Sequence, residues 1–341
     1  MWVNVAVANS LPQVALEQTA RLLYLHNFDV QRAHLDTVSD TDNGKITLLR
    51  MLVQPVNGAI VDDNILQILQ RELKRSKWLD PSTATLVFDR YPWLGVKRGE
   101  IITALCSLIH PIMAKKNKII YSKANILENV TNSKNIKLAS DIADLFLDRF
   151  YPASPLSNEE LHARSSALNK KIDNNTEEAT AAELLRKMIV VVKYVLKTNI
   201  YLDDRYALSV RLEPSVLAAE NETRELPYGV IFVHGRRFNA YHVRFRDIAR
   251  GGMSLVTPPT LEQYVLEASY QYDQCLELAF AQQLKNKDIP EGGAKAILTC
   301  ELSGLSDIGE DFVKRKSVKA FTDSILDLGE FPNQGNDSLL T

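Results

Sequence analysis

The chain has 341 residues, long enough for about two domains of ordinary size. It contains 45% hydrophobic and 24% charged residues with a net charge of −2, which excludes a chain-wide basic surface for nucleic acid or anionic lipid. Three distant cysteines, no apolar run of membrane-spanning length and no recognisable targeting segment indicate an intracellular protein, cytoplasmic or mitochondrial, without a disulfide framework.

The first 60 residues are predicted to form a compact module with the order β–α–β–β. Residues 3–8 are β-prone, and an amphipathic stretch follows over residues 12–26. Two further strands are expected at residues 30–38 and 46–53, separated by turn-forming residues 39–44. This order fits a small ligand-binding module of the ACT type, and equally a docking module that binds nothing.

Residues 61–199 are predicted to be mainly helical. Apolar side chains at helical spacing indicate one helix over residues 101–109, which Pro111 is expected to end or kink, and another over residues 184–195. Ser133 is the expected N-cap of a third helix that continues to Leu145. The polar residues 176–180 mark a linker or the start of a helix.

From residue 200 to 328 the pattern indicates a small sheet with one long helix, so the fold class is α+β. Strands are expected at residues 206–212, 229–234 and 241–245. Thr260 is the expected N-cap of the long helix. Its predicted apolar face consists of Leu261, Tyr264, Val265, Ala268, Tyr272, Cys275, Leu276 and Ala279. Residues 329–341 are predicted to be an irregular tail.

One stretch combines glycine pairs with cations. Arg250 precedes Gly251 and Gly252 at the end of the last predicted strand, and Lys285 precedes the motif Gly-Gly-Ala-Lys at residues 292–295. Glycine pairs permit backbone approaches that other residues prevent. We expect the three cations to meet at one end of the sheet, where they suit a dicarboxylate. Taken alone, a Gly-Gly pair before a lysine is most often an ordinary turn.

Other site classes have weaker signals. The glycine motif lacks the spacing of a P-loop, and no G-x-G-x-x-G turn follows a strand. His234 and His242 are most simply surface or packed histidines, and the alternative is that they face each other across a hairpin near Arg250. No spacing of histidines or cysteines indicates a metal site.

Two segments resemble a known family. The sequence YHVRFRDIARGGM at residues 241–253, followed by QQLKNKDIPEGGAKAIL at residues 282–298, is similar to the glutamate dehydrogenase signature of the large-subunit, NAD-specific type. Residues 184–214 resemble the same subfamily, and residues 43–56 do so more loosely. The resemblance extends to about residue 328 and is strongest over residues 187–297.

The resemblance implies oxidative deamination of L-glutamate to 2-oxoglutarate and ammonia, with NAD as hydride acceptor, in a homo-oligomeric enzyme. Lys295 matches the catalytic lysine that activates the water attacking the imine intermediate. Lys285 stands where the family has a lysine on the substrate α-carboxylate. Arg250, with Gly251 and Gly252 beside it in the substrate site, stands where smaller members have a lysine for the distal carboxylate.

The chain also departs from the family pattern. Ser254 replaces an expected arginine, and Ala296 and Ile297 replace the usual glycine after the catalytic lysine. These changes lie close to a loop that Gly292 and Gly293 are expected to form.

The likeness implies no cofactor-binding residue in this chain. By this resemblance, the chain ends before the segment that supplies the family's catalytic aspartate and before a complete Rossmann domain. Residues 200–328 would then be an incomplete substrate, or dimerisation, domain. We therefore expect the isolated chain to be inactive. The alternative is a non-catalytic regulatory or assembly subunit that binds a full-length homologue or an amino acid.

Overall fold

The computed structural model describes residues 1–8, 12–40, 44–58, 61–218, 223–285 and 291–329. Part of the predicted turn at residues 39–44, part of the segment after Lys285 and nearly all of the predicted tail lie outside these ranges. The described chain is a mixed α/β structure that divides into two compact units. The first consists of Met1–Leu79 and Ala84–Val96, and the second of Asp80–Thr83 and the chain from Lys97.

The first unit has the predicted order β–α–β–β, followed by a helix. Its main elements are β1 (Trp2–Ala8), α1 (Pro12–Leu25), β2 (Phe28–Asp40), β3 (Gly44–Pro55) and α2 (Asp63–Ser76). The strands form an antiparallel sheet in the order β1-β3-β2, so β3 separates β1 from β2 in a split β–α–β arrangement. Buried apolar residues of α1, α2 and the sheet form one core. The ACT-like character and the domain boundaries at residues 60, 199 and 328 stay predictions.

Helices form the first part of the second unit, as predicted. They are α3 (Pro81–Ala84), α4 (Gly95–Ala114), α5 (Lys123–Thr131), α6 (Ile136–Arg149), α7 (Asn158–Asn175) and α8 (Ala179–Tyr194). A π-helical turn, Thr85–Arg90, lies between α3 and α4 and belongs to the first unit, as do Ala84 of α3 and the first two residues of α4. The described helices include none with the length and apolar content of a bilayer span.

Two helix boundaries differ from the sequence predictions. Helix α4 does not end at Pro111 but continues to Ala114, because every residue from 100 to 111 is buried and packing holds the last turn in place. Helix α6 is not capped by Ser133. The side chain of Asn132 accepts hydrogen bonds from the backbone N–H groups of Lys134 and Asn135 and so stabilises a turn. The helix therefore begins only at Ile136.

The second unit contains a six-stranded sheet in the order β4-β5-β6-β7-β9-β8. Its strands are β4 (Val195–Thr198), β5 (Ala207–Leu212), β6 (Gly229–Gly235), β7 (Phe238–Arg244), β8 (Ala249–Val256) and β9 (Gly292–Cys300). The predictions for β5, β6 and β7 are confirmed, whereas β4, β8 and β9 were not predicted. Neighbouring strands are antiparallel except β8 and β9, which are parallel.

Two long helices cover opposite faces of this sheet. Helix α9 (Leu261–Gln283) connects β8 to β9, and Thr260 caps it as predicted, accepting a hydrogen bond from the backbone of Gln263. Helix α10 (Asp307–Leu328) packs on the other face, where its apolar side chains share a core with Ala296 and Leu298. A parallel pair joined by a helix is a β–α–β crossover.

The alternative in which the two hairpin histidines face each other is wrong. His234 lies opposite Asn239 and His242 lies opposite Ile231, so the two rings are not paired across the hairpin. His234 Nδ1 is 2.7 Å from Asn239 Oδ1, while the ring of His242 lies 6.3 Å from that of Phe321 on α10. Side chains alternate between the faces of a strand, which places these imidazoles on opposite sides of the sheet.

Candidate active site

The parallel strands β8 and β9 carry the predicted site residues next to each other. Arg250 pairs with Gly293, and Gly252 pairs with Lys295. Laterally paired residues project from the same face of a sheet, as do residues two positions apart on one strand. Arg250 and Lys295 therefore leave the sheet on one face, about 7 Å apart along the strand direction.

The expected loop at Gly292 and Gly293 is absent. Both residues begin strand β9, because Gly293 pairs with β8 and its carbonyl accepts a hydrogen bond from the backbone of Phe245. Arg250 likewise lies inside β8 rather than at the end of the preceding strand. The glycine pairs are thus parts of the sheet, not hinges beside it.

Two of the glycines permit close backbone packing. A Cβ at Gly293 would overlap the backbone of Ala279 and Gln283 on α9, and a Cβ at Gly251 would overlap the carbonyl of Ala294. By contrast, no atom lies within 4 Å of a Cβ built at Gly252. The sheet face that carries Lys295 therefore packs closely against α9 at Gly293 and is open at Gly252.

Three side chains of α9 hold strand β9 in place. Gln271 donates hydrogen bonds to the carbonyls of Ile297 (3.0 Å) and Asn239 (2.7 Å). Cys275 Sγ lies 3.1 Å from the carbonyl oxygen of Lys295, and Gln283 Oε1 accepts from the backbone N–H of Gly293 at 2.9 Å. Gln271 and Cys275 are four apart on the helix and about 6 Å apart along it, which is close to the two-residue step from Ile297 to Lys295 on the strand.

Lys285 and Lys295 have no anionic partner among the residues that the structure describes. Within the ranges that the structure describes, neither side chain makes an ion pair or hydrogen bond. Lys285 is exposed just after α9, and Lys295 is half-buried on β9. A basic side chain that lacks an anionic partner in the described ranges is available to an anionic ligand.

The side chain of Arg250 makes backbone contacts that the sequence did not predict. Its guanidinium donates to the carbonyl of Lys285 at 3.0 Å and to the carbonyl of Glu291 at 3.1 Å, and lies 3.8 Å from the Glu291 carboxylate. The arginine thereby joins β8 to both described ends of the connection between α9 and β9. It is a positioning group for Lys285 as well as a cation.

Sequence reasoning did not identify Gln271, Gln283 or Glu291, and it placed Cys275 only on the apolar face of α9. The available signal was the regular spacing 271, 275, 279 and 283, which marks one stripe of the helix. Burial raises the pKa of the Cys275 thiol to about 12, so it stays protonated at neutral pH. Among the described residues, no cluster of three or more histidine, cysteine or acidic side chains is placed to hold a metal ion.

Comparison with known proteins identifies the family. Residues 167–337, half of the chain, match the family described as bacterial NAD-glutamate dehydrogenase, catalytic domain. The chain belongs to the NAD-dependent glutamate dehydrogenase family. The match includes strands β4 to β9 and both long helices, and so contains the Arg250, Lys285 and Lys295 positions.

Individual glutamate dehydrogenases give the same result. The chain is 34% identical over 248 residues to a probable NAD-specific glutamate dehydrogenase of Schizosaccharomyces pombe, which covers 72% of the chain and 20% of that protein. It is 35% identical over 184 residues to the NAD-specific glutamate dehydrogenase of Saccharomyces cerevisiae, covering 54% of the chain and 16% of the relative. A Pseudomonas aeruginosa relative of the same name is 30% identical over 166 residues, covering 46% of the chain and 10% of the relative. The chain thus spans a fifth or less of the length of these proteins.

Proposed function

We propose that these residues form the glutamate-binding half of the active site of an NAD-dependent glutamate dehydrogenase. The reaction converts L-glutamate, water and NAD to 2-oxoglutarate, ammonium, NADH and a proton. The observation that carries this proposal is the pairing of the Arg-Gly-Gly strand β8 with the Gly-Gly-Ala-Lys strand β9. That pairing puts Arg250 and Lys295 on the same face of one sheet, with Lys285 held beside Arg250.

Each cation has a distinct role in this proposal. Lys295, half-buried and without an anionic partner in the described residues, is the lysine that activates the water attacking the imine carbon. Lys285 pairs with the α-carboxylate of glutamate from its exposed position at the end of α9. The open space above Gly252 receives the substrate between them.

Arg250 acts partly through the backbone. Two of its five N–H donors are used by carbonyls on either side of the α9–β9 connection, which leaves three for a distal carboxylate. A lysine at this position would keep the charge but could not reproduce the planar arrangement of donors that contacts the carbonyls of both Lys285 and Glu291. We therefore assign Arg250 to both carboxylate binding and the placement of Lys285.

The described residues do not fit a dinucleotide. NAD is bound by a doubly wound parallel sheet with a glycine-rich first turn, whereas β8 and β9 are the only parallel pair in the part of the chain that the structure describes. The proposed contribution of these residues is accordingly limited to binding the dicarboxylate and moving a proton.

Titration calorimetry of the purified chain with 2-oxoglutarate tests the proposal. We expect binding that Lys285→Ala weakens about tenfold or more, because a charged hydrogen bond contributes about 1.5–3 kcal/mol. Lys295→Ala should weaken it also, and Lys170→Ala, an exposed change on α7, should not. A chain that binds no dicarboxylate, or whose affinity is unchanged by Lys285→Ala and Lys295→Ala, would contradict the assignment.

The match of residues 167–337 to a catalytic domain does not favour the alternative of a non-catalytic regulatory or assembly subunit.

A further inference from the structure

Strand β2 of the first unit is an exposed edge. Its 13 residues, Phe28–Asp40, pair with β3 alone among the described strands, and every side chain from residue 29 to residue 39 is exposed. Among the described residues, no strand pairs with the outward backbone N–H and C=O groups of β2. A long exposed edge is a template for pairing with another strand.

The sequence of β2 is complementary to itself in the antiparallel direction. When two copies pair about a two-fold axis at His34, Arg32 of each lies opposite Asp36 of the other, and Ala33 lies opposite Leu35. Oppositely charged residues directly across an antiparallel pair are stabilising. The two-fold axis generates the Arg32–Asp36 pair twice. Moving the axis by half a residue along the strand would remove both ion pairs, so the charges specify the register.

Both charges are available for such a contact. Arg32 and Asp36 are exposed, and neither makes an ion pair or side-chain hydrogen bond with another residue in the described ranges. Their lateral neighbours on β3 are Leu52 and Leu48, which offer no counter-charge. Because the two residues are four apart on one strand, they project from the same face.

We propose that two copies of the chain associate through β2, pairing antiparallel about His34 and joining their three-stranded sheets into one. The register shift between Val30 and Arg32 disturbs the strand on one side of this segment, so the ladder is centred on residues 32–36. Charges on an edge repel an unrelated strand. Here the same charges match only another copy in this register, which makes the contact specific.

Charge exchange tests the pairing. Sedimentation equilibrium of the full chain should show a monomer–dimer equilibrium whose dissociation constant rises about tenfold in Arg32→Glu and in Asp36→Arg, because two attractive pairs become repulsive. The double variant should restore the original constant. Lys170→Glu on α7, which changes the net charge by the same amount as Arg32→Glu, should leave the constant unaltered. A monomer at every concentration, or a dimer indifferent to both single changes, overturns the proposal.

Cross-linking tests the register. Directly opposite residues have Cα atoms about 4.5–5.5 Å apart, within disulfide range, so His34→Cys should give a disulfide-linked dimer under mild oxidation. Val38 is also exposed, but in Val38→Cys the two copies of the cysteine would lie about 26 Å apart and should not cross-link. The native cysteines Cys106, Cys275 and Cys300 are buried and do not compete. Cross-linking of Val38→Cys in preference to His34→Cys refutes the proposed axis.

Discussion

Gly251 and Gly252 are adjacent on β8 but have opposite steric environments. A side chain at Gly251 would overlap the carbonyl oxygen of Ala294 on the paired strand. At Gly252 the same group would meet no atom within 4 Å. The first glycine is required for the contact between β8 and β9, and the second leaves room above the sheet beside Lys295.

Alanine substitutions distinguish these two roles. Gly251→Ala should lower the free energy of unfolding by about 1–3 kcal/mol, because the strands must separate to admit the methyl group. Gly252→Ala should change it by less than about 0.5 kcal/mol, but should weaken dicarboxylate binding by filling the open space. Urea denaturation and calorimetry measure the two effects. Equal destabilisation by both changes would contradict the assignment.

Two buried histidines make the protein sensitive to acid. Burial lowers the pKa of both His110 and His242 to about 4. The unfolded chain has an ordinary histidine pKa near 6.5, so it binds the proton first as pH falls. Stability is therefore full above about pH 6.5 and is lost progressively toward pH 4, by at most about 1.4 kcal/mol per pH unit for each histidine.

Replacing one of these histidines should reduce that acid sensitivity. His110→Leu should give a shallower loss of unfolding free energy between pH 6.5 and pH 4, because its neutral side chain takes up no proton on unfolding. His162→Leu, at an exposed position on α7, serves as the control and should leave the slope unchanged. Denaturant titrations at several pH values give the slopes. Identical slopes in both variants would show that the buried imidazole is not responsible.

At the scale of elements, α9 positions the strand that carries Lys295. Gln271, Cys275 and Gln283 contact alternate residues of β9, from Ile297 back to Gly293. Gln271 is only 2% exposed, so its two hydrogen bonds are shielded from water. Helix and strand therefore form one rigid support, and Lys295 lies at its centre.

Gln271→Leu tests this support. The change removes both buried hydrogen bonds and should lower the free energy of unfolding by about 1–3 kcal/mol. The matched control is Gln274→Leu on the same helix, a half-buried residue whose amide, within the described ranges, donates a hydrogen bond only to Glu267, about two turns away. It should change stability by less than about 0.5 kcal/mol. Comparable losses in the two variants would argue against a special role for the amide at position 271.

At the scale of the whole molecule, the proposal assigns substrate binding, and no dinucleotide binding, to the described residues. We expect a purified polypeptide of these 341 residues to bind 2-oxoglutarate but to form no NADH from glutamate and NAD, because hydride transfer needs the acceptor held against the substrate. Absorbance of NADH measures the second expectation. NADH formation above the rate of a Lys295→Ala control would refute it.

Local patterns in the sequence determined much of this protein. Alternation at residues 206–212 and 241–245 predicted β5 and β7, and Thr260 predicted the start of α9, because each signal depends on neighbours in the chain. The motifs around Arg250 and Lys295 indicated the family, which the comparisons confirm. Buried packing overrode the local signal at Pro111, where α4 continues.

Only the tertiary structure decided where the glycine motifs lie. Gly292 and Gly293 have the local signature of a loop, yet they form a strand because β7, β8 and α9 supply hydrogen bonds and close contacts from distant parts of the chain. The engagement of Arg250 with the backbone of Lys285 and Glu291 likewise joins residues 35 and 41 positions apart. Such contacts depend on how elements pack, and no local pattern of residues encodes them.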